Sequence, residues 1–315
     1  LRRHEEAIKE YDIAIDLDPK NPSYHYGKGI ALYALRRHEE AIKEYDIAID
    51  LDPRDPSYHY NKGNALLNLR RHKEAIKEYD VAIDLDPRDP FYHNNKGIAL
   101  LNLRRHKEAI KEYDVAIDLD PRDPLYHYNK GNALLNLRRH KEAIKEYDVA
   151  IDLNPKNPFY HYNKGIALYA LKRHEEAIKE YDIAIGLDPR DPDYHNNKGI
   201  ALDELRRYEE AIKEYDVAIG LDPKNPHYHS NKGIALYALK RHEEAIKEYD
   251  VAIDLNPKNP LYHYNKGIAL YALKRHEEAI KEYDVAIDLN PKNPFYHYNK
   301  GNALKEMGSY SEAML

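Results

Sequence analysis

The chain repeats itself every 34 residues without a slip of register. Prolines stand at Pro19, Pro53, Pro87, Pro121, Pro155, Pro189, Pro223, Pro257 and Pro291, and a second proline follows each one three residues later, from Pro22 to Pro294. A period of this size marks a solenoid, because one such unit cannot bury its apolar face alone and must stack on its neighbours. The count gives a partial unit at 1–21, eight full units over 22–293 and a partial unit at 294–315, read as a single solenoid over 1–315 with no linker. Both ends fall inside a unit and the first residue is Leu1, so we expect the sequence to be a piece of a longer protein.

One unit, Pro22 to Asp55, shows how the repeat is written. Proline at a first helical position loses nothing by lacking a donor, and Asn21 before it is a suitable cap. Tyr24, Lys28, Ala31, Leu32 and Leu35 then recur at steps of three and four, a helical period. The pattern predicts a helix ending near Leu35, a polar turn at Arg36, Arg37 and His38, and a second helix from about Glu39 to Leu51, stopped by Pro53. Small residues at Gly29, Ala31, Ala41 and Ala48 mark close helix approaches, and Leu32, Leu35, Ile42, Tyr45 and Ile49 fill the space between. Glu39, Lys43, Glu44 and Asp50 read as a solvated outer face, with Glu39 and Lys43 a favourable four-residue pair. At the ends, the pattern predicts a helix over Glu5 to about Asp18 and the start of another at Ser311.

The unit resembles a tetratricopeptide repeat. Gly29, Leu32, Ala41, Tyr45, Ala48 and Pro53 match the family pattern, as do Gly131, Leu134, Ala143, Tyr147, Ala150 and Pro155 later on, and the match covers essentially the whole chain. Two positions depart from it. His25 and its equivalents replace the tryptophan common in the first helix, and Lys28 replaces the usual leucine, so that a lysine there must snorkel or reach an acid. The resemblance implies an all-α, right-handed superhelical solenoid of helix-turn-helix repeats whose first helices line a concave groove. An alternative architecture is a pair of superhelical lobes hinged near Gly186 to Gly220, two glycines that replace the usual aspartate.

On that mapping the groove is written by the positions that differ between copies. One row reads Tyr26, Tyr60, Asn94, Tyr128, Tyr162, Asn196, Ser230, Tyr264 and Tyr298. Asn64 and Asn132 interrupt a row of isoleucines, and the unit from Pro192 places Asp203 and Glu204 on the same side, an acidic patch suited to a basic stretch of a partner. Tyrosine and asparagine together can bury rings while hydrogen-bonding a peptide backbone. The bland reading of these tyrosines is packing between units. The expected function is a non-enzymatic scaffold that binds an extended or helical protein segment, against a rigid spacer without a ligand or a targeting module of a larger enzyme. The subset of the family that grips acidic chaperone tails uses a lysine where this chain has Tyr60, which counts against that ligand.

Other chemistry finds little support. The 49 basic and 55 acidic residues, net −6, are mixed at short range, which leaves no basic tract for nucleic acid. No apolar stretch approaches the roughly 20 residues of a membrane span, so no membrane partner is expected. Cysteine is absent, which fits a cytoplasmic setting. The eighteen histidines fall in rows one unit apart, too widely spaced for a closed metal site, and a pair such as His25 and His38 inside a unit supplies too few ligands for one. No nucleophile, phosphate loop or calcium loop is recognisable, so no cofactor, metal or catalytic residue is expected. Buried neutral histidines would make acidification loosen the stack, whereas histidines facing carboxylates would reverse that effect. Truncated ends would favour head-to-tail self-association.

Overall fold

The computed structural model describes residues 2–308, and among these it contains helices, turns and short loops but no strand. A helix at Arg2–Leu17 is followed by paired helices, the first pair being Pro22–Ala34 and His38–Leu51 and the last complete pair Pro260–Ala272 and His276–Leu289, before a final helix at Pro294–Glu306. The chain is therefore an all-α solenoid of helix-turn-helix repeats. The helices group into two compact units, Leu1–Pro155 and Lys156–Leu315. That division falls between Pro155 and Lys156, not at Gly186 or Gly220. The helix start expected at Ser311 lies outside the described residues.

Each first helix begins as its sequence dictates. Asn21 holds an extended backbone and its side-chain oxygen accepts from the Ser23 amide at 3.0 Å, with Pro22 at the first helical position. Asp55, Asp89 and the later equivalents do the same for the residue two places on. Each first helix ends in a way the sequence conceals. The Arg37 amide donates to Leu32 O and the Arg36 amide to Tyr33 O, the paired bonds of a Schellman end, which force Arg36 to a left-handed φ of 61°. A basic residue occupies this glycine-favouring position in every complete turn, from Arg36 to Lys274. The turn is one residue shorter than expected, because His38 already belongs to the second helix and packs its ring edge-on against Tyr33 at 5.0 Å.

Between the paired helices the core is built from small residues and one large ring. Ala31, Ala41 and Ala48 are buried with Leu32 and Ile42, and Tyr45 is fully enclosed. The ring of Tyr45 lies so close to Gly29 that a Cβ there would sit 2.5 Å from it. Gly29 is thus a space requirement, and the same contact returns at Gly63 with Tyr79 and at Gly131 with Tyr147. Burying such a side chain contributes about 1.5–3 kcal/mol per repeat.

The outer-face reading of Glu44 is overturned. Its carboxylate accepts from Lys28 Nζ at 2.7 Å and lies 2.7 Å from His25 Nδ1, while the same lysine reaches Asp12 on the preceding helix at 2.8 Å. The next repeat joins His59, Lys62, Glu78 and Asp46 in the same way. The lysine in the family's leucine position therefore reaches two acids and bolts one repeat to the next. His25 and His38 do not pair, since each ring has its own partner. Burial pushes the Glu78 carboxyl upward, yet the hydrogen bonds from His59 and Lys62 outweigh it and hold the group below the usual glutamate value. Lys62 is correspondingly raised, its own burial opposed by Asp46 and Glu78.

Candidate protein-binding face

The first helices present one face away from their own second helices, and the residues at Tyr26, Ile30 and Tyr33, with their equivalents, share it at helical spacing. The tyrosine row is half-buried there. In the first unit the Tyr26 ring sits 6.1 Å from Tyr45 and 4.9 Å from Tyr58 of the next repeat, and its hydroxyl accepts from Asn61 Nδ2 at 2.9 Å. Tyr60 has the same surroundings in Tyr79, Tyr92 and Asn95, and Tyr128 packs on Tyr147 at 6.1 Å. In the second unit Tyr162 meets Tyr181, Tyr194 and Asn197, and Tyr264 meets Tyr283, Tyr296 and Asn299. Tyr298 is by contrast 68% exposed. Where the row carries Asn94 or Asn196, that side chain is buried and accepts from Asn129 or Asn231. An asparagine ladder therefore ties Asn61, Asn95 and Asn129 in the first unit, and Asn197, Asn231 and Asn299 in the second, to the side chain 35 places earlier. The recurrence of asparagine from Asn61 to Asn299 was the signal for it.

Asn64 and Asn132 also face inward through one oxygen. Asn64 Oδ1 accepts from the Tyr79 hydroxyl at 2.8 Å and from Asn95 Nδ2 at 2.8 Å, and Asn132 Oδ1 accepts from the Tyr147 hydroxyl at 2.8 Å. In repeats with isoleucine at that place, the buried hydroxyls of Tyr45 and Tyr113 have no partner among the described residues. The repeat from Pro192 meets the same need differently. Its Tyr215 hydroxyl donates to Asp203 Oδ2 at 2.7 Å, from one helical turn further along the first helix. Glu204 beside it accepts from the Tyr169 hydroxyl at 3.3 Å. Burial lifts the Asp203 carboxyl to about 6, against the lowering effect of the Tyr215 bond and with a further push from Glu204.

The side chains left open are a different row. The residue after each opening proline points outward, so that Phe91 and Leu125 in the first unit and Phe159, Leu261 and Phe295 in the second are 40–64% exposed. In the second unit a cavity of about 160 Å³ opens between neighbouring first helices, lined by Ile166, Tyr169, Tyr181, Asn197 and Ile200. It brings the surroundings of Tyr162, through Asn197, next to those of Glu204, through Tyr169. Among the described residues no group of three or more histidine, aspartate or glutamate side chains is arranged to hold a metal ion, and no helix is long and apolar enough to cross a membrane.

A sequence model described as tetratricopeptide repeat matches residues 1–56, 26–90, 94–158, 162–226, 196–260 and 230–294, and a second of the same description matches 282–314. No curated protein sequence matches the chain significantly. Among solved structures, the chain is similar to the Cut9–Hcn1 hetero-tetramer of the APC/C, with TM-score 0.61 and 17% identity over 94% of this chain and 58% of that one. It thus spans little more than half of that relative. It is also similar to the C-terminal part of a repeat protein from Cytophaga hutchinsonii, with TM-score 0.63 and 17% identity over 76% of this chain and 98% of that one. A third likeness is to YrrB, a protein with an unusual peptide-binding site, with TM-score 0.51 and 23% identity over 62% of this chain and 97% of that one. At these identities the likenesses establish the fold.

Proposed function

Since the chain belongs to the tetratricopeptide repeat family, whose members generally serve as protein–protein interaction modules, we propose that its first-helix face binds an extended or helical protein segment and performs no chemistry. The observation that carries this reading is the row of exposed Phe91 and Leu125, and of Phe159, Leu261 and Phe295, which stand largely open to solvent although Phe91 also meets Tyr126 of the next repeat edge-on at 6.3 Å. Apolar side chains on neighbouring packed helices lie about 8–10 Å apart. A segment in the extended polyproline II conformation has three residues per turn at about 3.1 Å each, so every third of its side chains faces one side about 9 Å apart and would meet the row. The tyrosines support the face from beneath.

A rigid spacer is the second reading, favoured by the tyrosine and asparagine ladder, which commits most of that row to stacking. Selection of a random peptide library on the intact chain separates the two. Binding predicts convergent peptides with apolar residues three apart, whose affinity falls at least tenfold in a Phe91→Ser/Leu125→Ser or a Phe159→Ser/Leu261→Ser variant of unchanged helicity. No convergence, or peptides indifferent to both variants, leaves the spacer.

A further inference from the structure

Three consecutive repeats of the first unit break a rule that the others keep. The residue after the histidine or tyrosine that opens the second helix is Glu5, Glu39, Glu175, Glu209, Glu243 or Glu277 elsewhere, but Lys73, Lys107 and Lys141 in these three. Glutamate at this place helps the stack in two ways. It lies in the first turn of its helix, where a negative charge complements the helix dipole and a positive one opposes it. It also reaches the arginine of the following repeat, so that Nη1 of Arg37, Arg71 and Arg275 lies 3.7, 3.5 and 3.2 Å from Glu5, Glu39 and Glu243.

Lysine forfeits both contributions. Among the described residues Arg105 and Arg139 keep only the glutamate three places on in their own turns, with Nη1 unbonded, and the residue one repeat back is now Lys73 or Lys107. The exposed Lys73, Lys107 and Lys141 make no ion pair among the described residues, and neither do the exposed Arg70, Arg104 and Arg138. A substitution that costs the fold twice, made in three neighbouring repeats, is the local inconsistency expected of a functional surface.

In the sequence the three Arg-Arg-His-Lys stretches are separated by 30 residues of mixed charge. Stacking sets them side by side along the edge formed by the turns, about 8–10 Å per step. Between neighbouring turns a cavity of about 270 Å³ opens, lined by Arg104, Arg105, His106, Lys107, Glu108 and Leu137. Arg105 already holds Glu108, which leaves Arg104, Lys107 and the free Nη1 for an anion. Leu137 offers apolar contact for methylenes, so the cavity suits a glutamate side chain. Glu74, Glu108 and Glu142 alternate with the cations. They oppose an unbroken run of phosphates and leave room for carboxylates spaced one repeat apart.

We propose that the turn edge of the first unit, from Arg70 to Lys141, binds an acidic protein segment in extended form, seating one carboxylate per repeat. A polyproline II segment brings every third side chain to one side at about 9 Å, which matches the step of the stack. The edge lies at the ends of the first helices, away from their outward apolar row, and its ligand does not depend on one at that row.

The test titrates the intact chain with a fluorescein-labelled peptide of four Glu-Pro-Ala triplets and with its Gln-Pro-Ala and Lys-Pro-Ala counterparts. The glutamate peptide should bind saturably, and more weakly as salt rises, while the other two should not bind. Lys73→Glu/Lys107→Glu/Lys141→Glu restores the residue that the other repeats carry, so helicity should be kept and affinity should fall at least tenfold. Arg104→Gly/Arg138→Gly removes two cations at a backbone angle that glycine favours and should also weaken the peptide. Lys179→Glu/Lys213→Glu/Lys247→Glu makes the same charge change in the second unit and should leave the affinity within about twofold. No saturable binding, binding that the first two variants leave unchanged, or equal loss in both triple variants overturns the proposal. Tighter binding of oligothymidylate, or of phosphatidylcholine vesicles carrying phosphatidylserine, abolished by the first variant, also overturns it and assigns the edge to phosphates.

Discussion

Replacing Asp203 by asparagine should make the protein more stable at neutral pH. The substitution keeps an oxygen for the Tyr215 hydroxyl and removes a charge that burial disfavours. Burial and Glu204 lift the carboxyl from its ordinary 3.8 to about 6, which corresponds to about 3 kcal/mol at about 1.4 kcal/mol per pH unit. Because the side chain remains partly open to solvent, screening trims this to about 1–2 kcal/mol. Below the ordinary value both folded and unfolded chains hold the proton, and wild type and variant should differ little. As pH rises from there to about 6, the unfolded chain releases its proton first, so the wild type loses stability relative to the variant, and the deficit is complete above about 6. A solenoid can unfold repeat by repeat, so the readout should be local. Amide exchange in helices Pro192–Glu204 and Tyr208–Leu221, compared between the two proteins from pH 4.5 to 7.5, provides it. A difference that does not change with pH, or a variant less protected at pH 7.5, refutes the account of Asp203 as a strained charge.

Four further outcomes follow from the geometry. Gly186→Ala and Gly220→Ala add a methyl into open space within helices and should each stabilise by about 0.5–1 kcal/mol in urea melts, whereas Gly131→Ala drives a Cβ to 2.5 Å from Tyr147 and should destabilise by about 1–3 kcal/mol. Arg70→Gly relieves a left-handed φ of 59° and should raise the unfolding free energy slightly, by up to about 1 kcal/mol in urea melts, while Arg70→Val should lower it. Glu78, Glu112 and Glu146 are held below the usual glutamate value, so the stabilisation they bring is present above that value and is lost as pH falls through their folded values; Glu146→Gln should flatten this acid limb of a stability–pH profile. His38 is shifted downward by burial and by Arg36, so its contribution is present above the ordinary histidine value and fades as pH falls toward the folded one, a slope that His38→Gln should remove between pH 7.5 and 5.5.

The helices, their caps and their small-residue contacts were legible because each is written within a few residues of itself. Asn21 before Pro22, Pro53 after Leu51 and glycine facing tyrosine are local or nearly so. The charge bolts were not. A helical wheel places Glu44 by the polarity of its own helix, but its partners His25 and Lys28 lie 19 and 16 residues earlier, and the second acid on Lys28, Asp12, belongs to the preceding repeat. The tyrosine row failed to separate ligand from packing for the same reason. Its rings are visible in the sequence, while the amide that holds each hydroxyl comes from 35 residues further on. The left-handed arginine was hidden because nothing about Arg36 marks it for a conformation that glycine favours.

A chain of near-identical repeats puts its structural instructions in what is shared and leaves the differences to be explained one by one. Most differences here are absorbed by stacking, as when Asn94 replaces tyrosine and still accepts from the next asparagine. Asp203 is harder to absorb. The Tyr79 and Tyr147 hydroxyls are satisfied by the neutral oxygens of Asn64 and Asn132, and no charge is needed for that purpose. A carboxylate at Asp203 meets the same demand with a second oxygen left sheltered and without a donor, next to Glu204. Folding alone would favour an amide there.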